Sequence, residues 1–308
     1  MSPSEELQSL LVRTFAAAMR GLSWQRSLRV GARLGDLVMR LGVRRPTAEA
    51  NLARAFPEWP EDRRREVLRD HYRELGRVAA EYSRLGELAS APRGEVIAEV
   101  RGMEHLERAR LAGRGAILLS GHFGNFELLG AFLGRLNPVD FLVRPLKNRG
   151  VAAQLAGWRE AAGVGQIAAG AGLRRVYEAL RANRWVALLA DQDARRQGTF
   201  VPFLGRQAST PIGPARLSLA TGAPIVTGFC FRRPDGRHEL HMDPPVEVDD
   251  PTAADAAERL TALHTARLEQ WVRRRPEQWF WLHRRWKTSP PEGSRGGPDG
   301  PERPSRRT

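Results

Sequence analysis

The sequence predicts an α/β fold: a mixed, largely parallel sheet flanked by helices and preceded by amphipathic N-terminal helices. Three observations predict it. From about residue 95, short apolar runs alternate with segments of helical periodicity, the pattern of strands joined by helical crossovers. Before that point the apolar residues recur at helical spacing alone. With 42% hydrophobic residues in 308, the chain can bury a sizeable core.

At the N-terminus, Leu7, Leu10, Leu11, Phe15, Ala18 and Met19 form one helical stripe, with Arg13 and Arg20 between them. Leu28, Leu34, Leu37, Val38 and Leu41 form a second. Such helices either pack on their own domain or lie in a membrane interface, with Trp24 at headgroup depth; both hold if one face docks and an edge touches lipid. Arginines at 13, 20, 26, 29, 33, 40, 44 and 45 leave no apolar stretch near the roughly 20 residues a membrane span needs. A protein facing the cytoplasm is therefore expected. Residues 47–56 and 61–90 read as further helices, separated by Pro57 and Pro60.

Strands are expected at Ala116–Ser120, Phe141–Val143, Trp185–Ala190 and Pro224–Phe231, with a polar one near His238–Met242. Helices are expected near 104–112, 125–135, 148–162, 172–182, 214–221 and 253–275. Gly163, Gly165, Gly170 and Gly172 read as a flexible connection, not a phosphate cradle. The organisation that follows is a helical, membrane-associating region at 1–92, an α/β catalytic region at 93–288 integrated with it, and a disordered tail at 289–308, rich in Pro, Gly, Ser and Arg.

The net charge of +14 is carried almost wholly by arginine, lysine occurring only at 147 and 287. It favours anionic partners: phospholipid headgroups, nucleic acid or phosphorylated substrates. The single cysteine, Cys230, lies in an apolar run and reads as core; it excludes an internal disulfide framework and a Cys-rich zinc site. No Gly-x-Gly-x-x-Gly follows a strand, and neither a Walker loop nor a Gly-x-Ser-x-Gly elbow occurs. Trp279, Phe280, Trp281 and Trp286 interleave with His283, Arg284, Arg285 and Lys287. That cluster suits a membrane interface or a last strand completing the core. Without a nucleic-acid module beside it, nucleic acid is not expected.

The chemistry concentrates in Ala116–Leu129, AILLSGHFGNFELL. A buried strand ends at Ser120, Gly121 permits a tight exit, and a helix begins near Gly124 or Asn125. His122 thus sits at the carboxyl end of a strand, where open α/β sheets bind ligands. Glu127, in the first helical turn, could reach back to the imidazole, fix its tautomer and leave the other nitrogen to take a proton from a hydroxyl. The helix N-terminus offers N–H groups to a developing oxyanion. Arg144 follows a strand and, with Lys147, could pair a phosphate or the oxyanion. Asp191 and Asp193 close the strand before them. They could hold a divalent metal with a nucleotide sugar, as in a glycosyltransferase, but Asp191 reads more simply as orienting groups at the site, for instance by pairing Arg144.

The segment Gly-His-Phe-Gly-Asn-Phe-Glu resembles the His-x-x-x-x-Glu signature of glycerolipid-type acyltransferases, and more closely the lipid A biosynthesis (late lauroyl and myristoyl) acyltransferases. Further segments fit in order: Asn51-Leu52, Ala55-Phe56-Pro57-Glu58, Arg144-Pro145-Leu146-Lys147-Asn148, Asp191-Gln192-Asp193, Phe203-Leu204-Gly205, Thr210-Pro211, Gly213-Pro214, Pro276-Glu277-Gln278-Trp279, Trp281 and His283-Arg284-Arg285. Phe126 stands where the relatives often carry tryptophan. The resemblance implies a catalytic His122–Glu127 dyad, an acyl-carrier-protein thioester as donor, a hydroxyl of a phosphorylated glycolipid as acceptor, the inner-membrane surface as location, and no metal or cofactor. It marks Gly121, Asn125, Arg144, Lys147, Asn148, Asp191, Asp193 and Arg284 as candidates for binding substrate. Acyl-CoA-dependent phosphatidylinositol mannoside acyltransferases share the spacing. From other classes, a metal-dependent glycosyltransferase and a non-catalytic binder of lipid or carrier protein remain as alternatives.

Overall fold

The computed structural model describes residues 2–170 and 172–291; the expected disordered tail lies, beyond Pro291, outside the described residues. Five helical segments come first: α1 (Pro3–Arg20), α2 (Trp24–Arg40), α3 (Arg45–Ala55), α4 (Glu61–Glu81) and, after a single 3-10 turn at Tyr82–Arg84, α5 (Leu85–Ser90). Then strands and helices alternate: β1 (Ile97–Arg101), α6 (Met103–Leu111), β2 (Ala116–Ser120), α7 (Phe126–Gly134), β3 (Val139–Val143), α8 (Arg149–Ala161), β4 (Val164–Ala168), α9 (Leu173–Arg181) and β5 (Trp185–Leu189). A hairpin, β6 (Thr199–Phe203) and β7 (Arg206–Thr210), precedes α10 (Gly213–Thr221), β8 (Ile225–Arg232), β9 (His238–Met242) and α11 (Ala256–Arg274).

Seven strands form one sheet in the order β1-β9-β8-β2-β5-β3-β4. The run β8-β2-β5-β3-β4 is parallel; β9 is antiparallel to β8, and β1 is parallel to β9. β2 is central, and its Ala116, Ile117, Leu118 and Leu119 are all buried, as expected of a parallel strand covered on both faces. The carboxyl ends of β2, β5 and β3 therefore open on the same edge, which is where the candidate residues lie.

Two expectations are corrected. The glycine-rich stretch at 163–172 is not merely a connection: Val164–Ala168 is the edge strand β4, in register with β3. Gly165 is there for space, because a Cβ would sit 2.0 Å from Asp140 Oδ1, a carboxylate held by Arg184 at 2.6 and 2.9 Å. The β6–β7 hairpin is also unforeseen. Its two-residue turn puts Leu204 and Gly205 at φ 51° and 74°, the positive-φ pair such turns need, and leucine gives no turn signal. Leu204 N–H is tied instead to Glu269 Oε2 at 2.7 Å.

The N-terminal helices share a core with the α/β part. Leu52, Phe56, Leu68 and Tyr72 pack in one buried cluster with Phe203, Phe229, Trp271, Trp279 and Trp281. Helix α2 meets α4 backbone to backbone: a Cβ on Gly35 would lie 2.0 Å from Tyr72 O, and one on Gly31 2.4 Å from Gly76 O. The outer stripes stay bare, with Leu7, Leu10, Leu11, Leu37 and Leu41 between 48% and 70% exposed. Trp24 does not point out to headgroup depth; it is half-buried and donates from Nε1 to Glu81 Oε1 at 2.8 Å. Among the described residues no helix is long and apolar enough to cross a membrane.

Candidate active site

His122 leaves the end of β2 through Gly121. A Cβ on Gly121 would come within 2.9 Å of Leu268 and 3.1 Å of Asp191 Oδ2, so glycine lets the Asp191 carboxylate approach the main chain. At the next bend Gly124 has φ 54°, and a Cβ there would lie 1.9 Å from Cys230 O. Asn125 then caps α7, its Oδ1 accepting from Leu128 N–H at 2.9 Å while its Nδ2 donates to Glu81 Oε2 at 2.8 Å. Asn125 is buried and builds the turn.

The partner of His122 is Asp191, not Glu127. Asp191 Oδ1 accepts from His122 Nδ1 at 2.7 Å, and Oδ2 accepts from the His122 backbone N–H at 2.8 Å and from Trp279 Nε1 at 2.9 Å. Both oxygens are thus committed to protein donors, and the expected Arg144–Asp191 pair does not form. The imidazole edge packs on Phe126 and lies near Phe280, with centroids 5.5 and 5.9 Å away. Its Nε2 has Gln192 Nε2 at 3.4 Å.

Burial opposes charge on His122, but the Asp191 carboxylate, its hydrogen bond and the field of Glu127 outweigh it and hold the pKa above the ordinary histidine value. Burial likewise opposes charge on Asp191, yet His122 and Trp279 bring its pKa down to about 2. The pair is therefore a carboxylate holding an imidazole whose outer nitrogen is the exchangeable one.

Glu127 is 1% exposed and faces elsewhere. It is an ion-pair partner of Arg159 from α8, with Nη2 at 2.5 Å and Nε at 2.9 Å, and it accepts from the Tyr82 hydroxyl. One residue along a helix turns the side chain by about 100°: Phe126 meets the imidazole, and Glu127 falls on the adjacent face. There it stands at the rim of a pocket between α7 and the sheet, about 80 Å³ in volume. Leu118, Leu129, Leu133, Phe141, Leu188 and Met242 make its walls apolar, and Ser120, Glu127 and Arg159 are its polar margin.

The other candidates divide. Asn148 caps α8, accepting from Gly150 and Val151 N–H and donating to Glu5 O and Gln8 Oε1 of α1. Asp193 accepts from Thr288 Oγ1, and its N–H donates to His283 Nε2. Arg144, Lys147 and Arg284 are at least partly exposed and lie on the segments after β3 and near the C-terminus. Sequence reasoning missed Tyr82, Arg159 and Arg285. Among 49 lysines and arginines, no spacing singles out the half-buried Arg159 or the buried Arg285.

A carboxylate-held imidazole beside an apolar pocket, at the carboxyl edge of a parallel sheet, defines a class: a site with the groups to activate a hydroxyl and the room for a hydrocarbon chain. The comparisons give that class its family. The model of the bacterial lipid A biosynthesis acyltransferases matches residues 3–288, and the chain belongs to that family. It is 32% identical to the lipid A biosynthesis lauroyltransferase of Escherichia coli (strain K12) and 28% identical to the palmitoleoyltransferase of the same strain, each over 85% of both chains. It is 27% identical to the phosphatidylinositol mannoside acyltransferase of Mycolicibacterium smegmatis, over 77% of both. An acyltransferase acting on glycolipids is the activity these relationships support.

Proposed function

We propose that the protein transfers a fatty acyl chain from an acyl-carrier-protein thioester to a hydroxyl of a phosphorylated glycolipid, a lipid A precursor, at the cytoplasmic face of the bacterial inner membrane. The observation that carries the chemistry is the Asp191–His122 hydrogen bond at 2.7 Å beside the apolar pocket. With Nδ1–H donated to Asp191, His122 Nε2 takes the proton of the acceptor hydroxyl. The oxygen attacks the thioester carbonyl carbon, the C–S bond breaks, and the imidazolium returns the proton to the departing sulfur. No covalent enzyme intermediate forms, and no metal or cofactor takes part. The Gln192 amide, its nitrogen 3.4 Å from Nε2, is the donor assigned to the carbonyl oxygen as it becomes an oxyanion. Glu127 serves one step removed: locked by Arg159 and Tyr82, it shapes the pocket mouth and adds negative field that favours imidazolium.

The apolar walls suit the acyl tail, and Arg144, Lys147 and Arg284 suit the phosphates of the acceptor. Bare leucines on α1 and α2, interspersed with arginines, suit an anionic lipid surface. The mannoside-type relative supports a second reading, in which acyl-CoA is the donor and another glycolipid the acceptor. The test is transfer of a radiolabelled lauroyl thioester, carried by protein or by coenzyme A, to purified lipid A precursor. His122→Ala is expected to abolish it, and near-wild-type transfer by that variant refutes the mechanism.

A further inference from the structure

The segment His283-Arg284-Arg285 sets two guanidiniums side by side, and the fold treats them oppositely. Arg284 reaches solvent, whereas Arg285 is 1% exposed. Arg285 Nη1 donates to Ser209 O and Nη2 to Thr210 Oγ1, both at 2.5 Å, and the guanidinium lies 5.3 Å from the Phe203 ring centroid. Among the described residues its Nε has no partner and it forms no ion pair. A buried cation without a counter-ion is costly. The negative charges that act on it are Asp191 and Asp193, through space, while burial pulls its pKa down to about 10.

Arg285 and Asp191 line one cavity of about 10 Å³, together with Ser120, Thr227 and His264. Around it, Arg285 Nε, Ser120 Oγ and His264 Nε2 are buried polar atoms without a partner among the described residues, and the space is that of about one water. The cavity lies directly behind the carboxylate that holds His122.

We propose that Arg285 is a positioning residue for the His122–Asp191 pair: its buried charge offsets the carboxylates around the imidazole and so sets the pH at which His122 becomes a free base. The inference rests on His122 being the base and Asp191 its holder. The charges facing the pair are Glu127 from α7, Asp193 from the segment after β5, and His283 and Arg285 from the C-terminal segment, with His264 from α11. Arg159 already pairs Glu127. Burial holds His264 neutral, with the Arg285 field acting in the same direction, and burial also lowers His283. Arg285 is therefore the cation left to balance Asp191 and Asp193. Without it the site is more negative, the imidazolium is favoured, and the base is switched off over more of the acidic range.

The experiment is the pH dependence of kcat/KM for lauroyl transfer to lipid A precursor, with folding followed by near-UV circular dichroism. Arg285→Gln is expected to move the acid limb up by about one pH unit, the scale of one unit charge nearby in protein. Thr210→Asp places a carboxylate where Thr210 now accepts from Nη2. It gives the buried cation a partner, so it is expected to fold even if Arg285→Gln does not, and to move the limb the same way. Lower stability or rate in either folded variant, with the acid limb coincident with wild type, would make Arg285 a packing residue and overturn the proposal. Asp191→Asn separates the two levels. If it turns over like wild type, the underlying reading fails; if it is crippled while both limbs stay fixed, only the role of Arg285 fails.

Discussion

Replacing Asp191 by asparagine changes one atom and reverses the logic of the pair. The Asp191 carboxylate accepts three hydrogen bonds: from the His122 backbone, from Trp279 Nε1 and from His122 Nδ1. The first two donors are fixed N–H groups, so the amide oxygen of the substituted side chain must face them. Its NH2 then faces Nδ1, which must become the acceptor, and the ring proton moves to Nε2. That nitrogen can no longer take a proton from a hydroxyl. The carboxylate charge that stabilises imidazolium is lost as well. Wrong tautomer and lost charge together are worth about 4–5 kcal/mol, a fall in kcat of roughly 10³- to 10⁴-fold. The assay is initial-rate transfer of a labelled lauroyl chain across pH. In the wild type, kcat/KM falls as pH drops through the raised pKa of His122, because the protonated ring cannot act as base. In Asp191→Asn, burial acts on the ring without the carboxylate to oppose it, so the limb of the residual activity moves to lower pH. Turnover near that of the wild type, or a limb that does not move, refutes the assignment of Asp191.

Four further outcomes follow from the geometry. Gln192→Ala removes the amide beside His122 Nε2 and is expected to lower kcat by about 10²- to 10³-fold with little change in KM, as loss of one oxyanion donor does; steady-state kinetics at saturating donor check it. Gly130→Ala puts a Cβ 2.1 Å from the Phe141 ring, and both residues line the pocket, so palmitoyl transfer is expected to fall more than lauroyl transfer, on the order of tenfold per methylene excluded. His264 is buried and neutral, its pKa brought down to about 3; since the unfolded chain takes up that proton first, stability is full above about pH 6.5 and drops by about 2 kcal/mol at pH 5, a slope that urea denaturation should find flattened in His264→Leu. Gly35→Ala drives a methyl into Tyr72 O and is expected to cost about 3 kcal/mol, read as a lower melting temperature with α2 parted from α4.

Much of this was legible in the sequence, for reasons tied to particular residues. β2 and β9 were bounded to the residue because their patterns are unbroken: four consecutive buried apolar residues in one, strict alternation of burial in the other. β4 was hidden because its sequence carries a glycine chosen for the space of a neighbouring carboxylate rather than for a turn. The site was half legible. His122 stands where the strand-end argument put it, but the spacing to Glu127 says only that both lie near one turn; it does not say which face of the helix each takes. Tyr82 and Arg159 come from the 3-10 turn and from α8, far apart in sequence, and only packing brings them to Glu127.

The scattered segments that looked individually weak turn out to be one object. Asn51 Nδ2 donates to the carbonyls of Trp281 and His283. Arg285, two residues on, is held by Ser209 and Thr210 at the end of β7. Phe203 of the hairpin packs its ring against Trp279, whose Nε1 donates to Asp191, and Gln278 fixes Arg232 and, through its carbonyl, Gly124 N–H. These segments thus end within a few contacts of His122, so their order along the chain carries far more information than any of them alone. The two acidic residues then separate by surroundings. Asp191, with three N–H donors and, among the described residues, no ion pair to a guanidinium, is built to hold a proton donor and stay charged. Glu127, with an arginine and a tyrosine on it at the rim of an apolar pocket, is built to stay fixed. The motif spacing supplies one neighbour of His122, Glu127, through the helix it begins; the other, Asp191, comes from the end of the strand lying beside β2.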